Sequence, residues 1–263
     1  MKIVRYQNNN KDIKYGVLKE NEIYEINGDV FSEFDMGQKA ANLSDVSLLA
    51  PVEPPNIIAI GLNYRQHAKE TEAELPEKPL VFLKATSSLT GAESNIILPQ
   101  MAPDEVDFEA ELAVIIGKET KNIETVEVSD HILGYSCAND VSARDCQKRL
   151  DKQWARAKSF DSFCPLGPWI ETDLNPMNCS IKSILNGEVM QNSNTSDMIF
   201  NIKQLVSYLS HNMTLKPGTV ILTGTPEGVG FAREEKVFLK DGDEIIIEIE
   251  GIGRLKNTVK KEN

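Results

Sequence analysis

Apolar residues come along this chain in short runs more often than at helical spacing. "NIIAIG", "PLVFLK", "AELAVIIG" and "ILGYSCA" are apolar runs of strand length, the pattern expected of strands buried in a core. "SIKSILNGEVMQ" sets Asn186-Gly187 between two such runs, the strongest short hairpin signal. "GTVILTG", "EIIIEIEGIG" and "RLKNTV" carry the pattern toward the C-terminus. Three stretches read as helices: "NYRQHAKETEAE", "RDCQKRLDKQWARAKSF" and "NIKQLVSYLSHNM". Strands do not alternate regularly with helices, which disfavours a doubly wound parallel sheet. The pattern predicts an α+β body with a large rolled or sandwiched sheet.

The first fifty residues have their own rhythm. "MKIVRYQ", "IKYGVLK" and "NEIYEING" read as short strands between polar turns, and "FSEFDMGQKAANL" as a short helix. "LLAPVEPPNI" carries three prolines, and proline stiffens a connection by fixing φ, so a semi-rigid linker is expected here. This divides the chain into a small β-rich N-terminal domain, residues 1–54, and a larger body, residues 55–263. No internal repeat or low-complexity tract interrupts either part.

Composition narrows the function classes. With 263 residues, 41% of them hydrophobic and 26% charged, the chain can bury a sizeable core. A net charge of −12 without a Lys/Arg cluster opposes binding to phosphate backbones, so nucleic acid is not an expected partner. The N-terminal "MKIVRYQNNNKD" has no long apolar segment, and no run approaches the ~18 residues that span a bilayer, so no membrane partner is expected. Cys137, Cys146, Cys164 and Cys179 form no CxxC pair; they read as reduced thiols of a cytoplasmic protein rather than a zinc site.

One stretch joins chemistry to fold. In "VDFEAELAVIIGK", Asp107, Glu109 and Glu111 alternate with other residues before the apolar run begins. Side chains alternate across a strand, so Glu109 and Glu111 share a face, with Asp107 joining them if the strand reaches that far. Carboxylates held about 6–7 Å apart on one face repel unless a cation lies between them. Mg²⁺ or Mn²⁺ suits such hard oxygen donors; a solvated acidic edge strand fits the same pattern. Asp140 in "CANDVSARD" follows an apolar run and precedes a predicted helix start. It can supply a third carboxylate or serve as an N-cap.

Taken in order, "IGLNYRQHAKE", "PLVFLK", "VDFEAELAVIIGK", "ILGYSCANDVSARD", "AKSFDSFCPLGPW", "NGEVMQ", "TSDMIF" and "LTGTPEGVGFA" resemble the fumarylacetoacetate hydrolase family, especially its shorter acylpyruvase members and the 2-hydroxyhepta-2,4-diene-1,7-dioate isomerase-like ones. The resemblance runs from about Pro55 to the C-terminus, and the first fifty residues resemble the small variable N-terminal domain of many bacterial members. It implies a mixed β-roll, a homodimer, and a divalent metal at the mouth of the sheet. The family's metal-binding E-x-E falls on Glu109 and Glu111, and its third ligand on Asp140; Asp107 is left outside the ligand set, as a neighbour of it. A further aspartate that the full-length fumarylacetoacetases use has no counterpart located here.

The resemblance also assigns roles around the metal. Lys158 in "AKSF" matches a lysine that offers positive charge to an enolate; by residue type alone it reads as a surface helix lysine. Gln147 matches a position that helps hold substrate or water. Arg144 is close enough to reach the same pocket or to serve as an ion-pair partner. His67 and Glu70 lie at i and i+3, one face of a helix, and an imidazole oriented by a carboxylate can activate water. In acylpyruvase members the matching pair sits on a lid, and the polar, proline-containing "TEAELPEKP" that follows is consistent with a mobile segment. His131 and His211 match no catalytic position. "LTGTPEGVG" lacks the endings of a P-loop or a dinucleotide fingerprint; its amides and the Thr225 hydroxyl are expected to face a substrate carboxylate.

The implied substrate is a small 2-oxo or 2,4-dioxo acid. The leading expectation is hydrolysis of a C–C bond in an acylpyruvate. Oxaloacetate decarboxylation and isomerisation or tautomerisation of a 2-hydroxy-dienedioate are open on the same site. A non-catalytic oxo-acid-binding protein is the reading from another class.

Overall fold

The apolar runs pair as strands, and the structure, a computed structural model, describes residues 1–262. A long sheet carries, in spatial order, Phe34–Asn42, Glu22–Gly28, Ile13–Lys19, Lys2–Gln7, Cys164–Glu171, Ile132–Asn139, Ala110–Ile116, Val220–Leu222, Ile57–Gly61 and Leu80–Lys84. Neighbours on this path run antiparallel except Val220–Leu222 with Ile57–Gly61, which are parallel, so the sheet is mixed as expected. A second sheet of five strands follows the order Glu188–Asn194, Ser180–Leu185, Glu244–Ile249, Gly253–Lys261 and Asn95–Leu98. Its first hairpin turns at Asn186-Gly187, where both residues take positive φ, 51° and 86°, the conformation that favours Asn-Gly.

The acidic strand Ala110–Ile116 is buried on both faces. Leu112, Val114 and Ile116 enter the core between the sheets, with Ile181, Ile245, Ile247 and Leu255. Ala113 and Ile115 face the other way and pack with Ile3, Val30, Val52, Ala59 and Leu222. The predicted linker therefore forms part of that second core: Ala50, Pro51, Val52 and Pro54 are buried, and Glu53 pairs with Arg5. The N-terminal strands are continuous with the long sheet through Lys2↔Glu171 and Ile3↔Ile170.

Two helix predictions are corrected. The segment predicted as a helix around Phe34–Asn42 is a strand paired with Glu22–Gly28. Gly37 weakens a helix there, and the edge of the neighbouring strand offers a ladder that local propensity cannot match. The single helix expected over 144–160 is two short pieces, a π-turn at Cys146–Leu150 and helix α2 at Ala155–Lys158. Helix α1, Arg65–Glu70, stops before Glu72, whose φ is +53°. Helix α3, Ile202–Asn212, matches its predicted stretch and opens with a capping box between Asn201 and Gln204. No helix of the described residues is long and apolar enough to cross a membrane.

Truncating a side chain in the inter-sheet core tests how firmly the acidic strand is anchored. Leu112→Ala is expected to cost about 2–5 kcal/mol, read as a lower denaturant midpoint in urea unfolding.

Candidate metal and active site

Pairing of the acidic strand with Ile132–Asn139 decides the geometry. Ala110 lies opposite Asn139, so the residues just beyond each strand end, Glu109 and Asp140, come together. The Asp140 N–H donates to the Glu109 carbonyl at 2.9 Å, and the Asn139 side-chain oxygen accepts from the Glu109 N–H at 2.9 Å. Glu111 sits one residue into the strand. One carboxylate oxygen from each of Glu109, Glu111 and Asp140 lies within 4.8 Å of the other two, and all three residues are buried. Asp140 caps no helix; Asp145 accepts from Cys146 N–H at the start of the π-turn.

Buried cations balance part of this charge. Lys158 Nζ lies 2.8 Å from Glu109 Oε2 and 2.6 Å from Asp140 Oδ2. Lys84 Nζ lies 2.5 Å from Asp140 Oδ1. The Arg144 guanidinium lies 2.7 Å from Glu109 Oε1 and 2.9 Å from Asp107 Oδ2. Burial pushes the Glu109 carboxyl up, but Lys158 and Arg144 outweigh it and hold the group well below the usual carboxylate range. Burial likewise pulls the Lys158 ammonium down, and Asp140 and Glu109 more than restore it.

Glu111 is different. It accepts the Gly224 N–H at 2.7 Å and forms no ion pair among the described residues. Burial, then the charges of Asp140 and Glu109, push its carboxyl well above the usual range. A buried carboxylate short of countercharge, beside two others and offering only oxygen donors, fits a hard divalent cation.

A cavity of about 310 Å³ opens over this cluster, lined by His67, Glu109, Glu111, Arg144, Gln147, Lys158 and Thr225 among others. Asp140 is not among its lining residues. Helix α1 carries His67 to the wall, and "TSDMIF" holds the helix in place: Asp197 Oδ2 accepts the Gln66 N–H at 3.0 Å, and Arg65 donates to the Asp197 and Met198 carbonyls. His67 Nδ1 lies 3.0 Å from Glu70 Oε2, the i, i+3 pair expected from the sequence. With Nδ1 donating to that carboxylate, Nε2 is the ring nitrogen left for chemistry. Gln147 Oε1 accepts from Arg144 at 2.8 Å, which leaves the amide nitrogen as its open donor.

The three glycine amides of the glycine-rich loop are committed to protein carboxylates: Gly224 to Glu111, Gly228 to Glu70 Oε1 at 2.8 Å, and Gly230 to Asp107 Oδ1 at 2.8 Å. Gly224 has φ of +95°, and a Cβ there would come 2.7 Å from that of Asn63, so glycine is needed. Thr225 does line the cavity, and its hydroxyl oxygen accepts from Gln191 at 2.8 Å. Asp107, left outside the ligand set, lies on a separate two-residue strand paired with Ser142–Ala143 and binds Arg144 and the loop.

Sequence reasoning passed over three residues that build the site. Lys84 ends "PLVFLK", where a lysine closing an apolar run was a signal that went unread. Gln191 ties the Ala110 N–H to Thr225 and the Pro226 carbonyl. Asn63 joins Phe200 to Thr223. His131 bonds Thr120 at 2.8 Å, and His211 is exposed with Glu124 at 3.8 Å; neither lines the cavity.

Known proteins resemble this chain. The fumarylacetoacetate (FAA) hydrolase C-terminal family matches residues 56–260, and the Rv2993c-like, N-terminal family matches residues 1–51. The chain belongs to the fumarylacetoacetate hydrolase family. It is 46% identical over 233 residues to the mitochondrial oxaloacetate tautomerase fahd2 of Xenopus laevis, covering 87% of this chain and 73% of that protein. The solved 5-carboxymethyl-2-hydroxymuconate delta-isomerase of Mycobacterium smegmatis superposes over 100% of both chains with a TM-score of 0.90 at 41% identity. Maleylpyruvate hydrolase of Sphingobium sp. SYK-6, solved with manganese(II) and pyruvate, also covers 100% of both chains, with a TM-score of 0.80 at 29% identity.

Glu109→Gln removes one charged oxygen donor and keeps the shape. Mn²⁺ affinity, followed by the free-ion EPR signal, is expected to fall at least tenfold, roughly the lower bound even for residues that only support a metal ligand. The far-ultraviolet dichroism is expected to stay as in the parent, and undiminished Mn²⁺ affinity would remove Glu109 from the site.

Proposed function

We propose that this chain is a divalent-metal-dependent enzyme that moves a proton at C3 of a short 2-oxo acid, interconverting the keto and enol forms of an oxaloacetate-like dicarboxylate. The observation that carries this reading is the His67–Glu70 pair on the wall of the same cavity that holds the carboxylates of Glu109 and Glu111. The 46% identity to an oxaloacetate tautomerase supports it, as does the full-length likeness to an isomerase.

Glu109, Glu111 and Asp140 would hold Mg²⁺ or Mn²⁺, which when bound would supply Lewis-acid polarisation of a 2-oxo acid and so make its C3 protons more acidic. The protein's own groups handle the proton. His67 takes it from C3 through Nε2 as the C2–C3 double bond forms, and returns it to the oxygen on C2, so no atom is gained or lost. Glu70 fixes the tautomer through Nδ1 and stabilises the imidazolium in between. Lys158 adds positive charge where the substrate oxygen gains negative charge. Gln147 and Thr225, which line the cavity, orient the substrate's carboxylate.

Hydrolysis of an acylpyruvate is the second reading, favoured by the likeness to a maleylpyruvate hydrolase. There the same imidazole takes a proton from water as the water oxygen adds to the C4 carbonyl; the C3–C4 bond then breaks with its electron pair left on the enolate of pyruvate, and the imidazolium returns the proton to C3, giving pyruvate and a carboxylic acid.

Loss of enol absorbance from freshly dissolved enol-oxaloacetate, dependent on Mg²⁺ or Mn²⁺ and stopped by chelator, is the outcome expected from proton transfer. Metal-dependent release of pyruvate plus a carboxylic acid from acetylpyruvate, with no acceleration of enol decay, would replace it with the hydrolase reading. Release of CO₂ from oxaloacetate would point to decarboxylation. In whichever reaction is found, His67→Ala is expected to lower kcat by about 10²–10⁴-fold, with Mn²⁺ affinity unchanged.

A further inference from the structure

The cavity is lined by three cationic side chains, and two are already engaged. Lys158 bridges Glu109 and Asp140, and Arg144 lies against Asp107 and Glu109. The third, Lys148, lies on the π-turn one residue after Gln147 and lines the same cavity. It makes no ion pair among the described residues. Its neighbours do: Arg149 pairs with Glu105 at 2.8 Å and Arg156 with Asp151 at 2.7 Å. The contact shown for the Lys148 ammonium is the Phe231 ring, 4.5 Å from Nζ to its centroid.

We propose that Lys148 is a specificity-determining residue that receives the far carboxylate of a dicarboxylic substrate. The assignment rests on the oxo-acid reading of the cavity and deepens it, because it chooses the diacid over the monoacid.

The wall behind Lys148 is built rather than incidental. Asp107 accepts the Gly230 and Phe231 N–H groups at 2.8 and 3.0 Å and also binds Arg144. This fixes the Phe231 ring, over which the Arg144 guanidinium sits at 4.2 Å. A Cβ at Gly230 would overlap the Val237 carbonyl oxygen, so the loop approaches this closely only with glycine there. The result is an aromatic platform under an ammonium with no carboxylate to pair with. Lys148 is exposed at the rim of the cavity, where partial burial and then the neighbouring Arg144 charge pull its ammonium below its usual range, while Glu109 offsets part of that. An incoming carboxylate can reach it there and pair with it.

The arrangement also separates two jobs. The chelating end of a 2-oxo acid belongs with the Glu109–Glu111–Asp140 cluster. A lysine at the rim is a flexible point charge, able to meet a carboxylate a few atoms away without fixing the chelating end. A monoacid leaves Lys148 as it is; a diacid pairs it.

Oxamate and N-oxalylglycine test this, since they share one chelating head and differ in a carboxymethyl arm. Their binding to the Mn²⁺-loaded protein is measured by calorimetry for the parent, Lys148→Met and Lys148→Arg. Lys148→Met is expected to weaken N-oxalylglycine about tenfold while oxamate stays within about twofold, and Lys148→Arg to keep most of the difference. Steady-state kinetics on oxaloacetate should show the same loss in KM, with kcat little changed. Equal losses for both ligands, or no loss for either, would overturn the assignment. If neither ligand binds the parent protein, the oxo-acid reading itself falls, and this assignment falls with it.

Discussion

A knot of buried charge organises this molecule. Four carboxylates, Asp107, Glu109, Glu111 and Asp140, are held with three cations, Lys84, Arg144 and Lys158, all with little or no exposure to solvent. Such a cluster is costly to bury and strongly destabilised when one partner is removed, so its parts depend on one another. They come from different elements: two strand ends, the edge strand Leu80–Lys84, the turn around Arg144 and helix α2. The break of the predicted long helix into two pieces has its reason here, since the chain must turn back for Lys158 to reach Glu109 and Asp140.

Much of this was legible in the sequence because it follows period and residue type. The alternation of Glu109 and Glu111 gave their shared face, and the apolar run after them gave the buried strand. Helical spacing put His67 and Glu70 on one face, and the role given to the pair came from the resemblance. Asp140 needed the resemblance, because one aspartate before a turn looks like a cap. Lys84 and Gln191 were missed for a common reason: each acts across 50 or more residues of sequence, on Asp140 and on Ala110. The strand at Phe34–Asn42 was misread because pairing with Glu22–Gly28, rather than its own composition, decides its state.

The glycine-rich loop has a structural task that its sequence does not reveal. Main-chain amides pointing into a site suit any anion, and the sequence cannot say whose. In the folded chain Gly224 holds Glu111 and Gly228 holds Glu70, so one loop sets both a carboxylate of the candidate metal cluster and the orienter of the imidazole. Gln191 ties the same loop to the start of the acidic strand. The two halves of the chemistry are thereby kept in fixed relation by backbone, which moves less than side chains do.

The N-terminal strands bear on the site without touching it. The face of the acidic strand that carries Ala113 and Ile115 continues the face from which Glu111 projects, and Ile3, Val30 and Val52 seal it. A chain with the same catalytic body and no such strands would present that apolar surface to water, where it would invite association. Some other layer would have to shield it: an added helix, a longer loop or a neighbouring subunit. The small N-terminal unit is thus a roof over the far end of the metal-bearing strand, and roofs of different design can cover the same house.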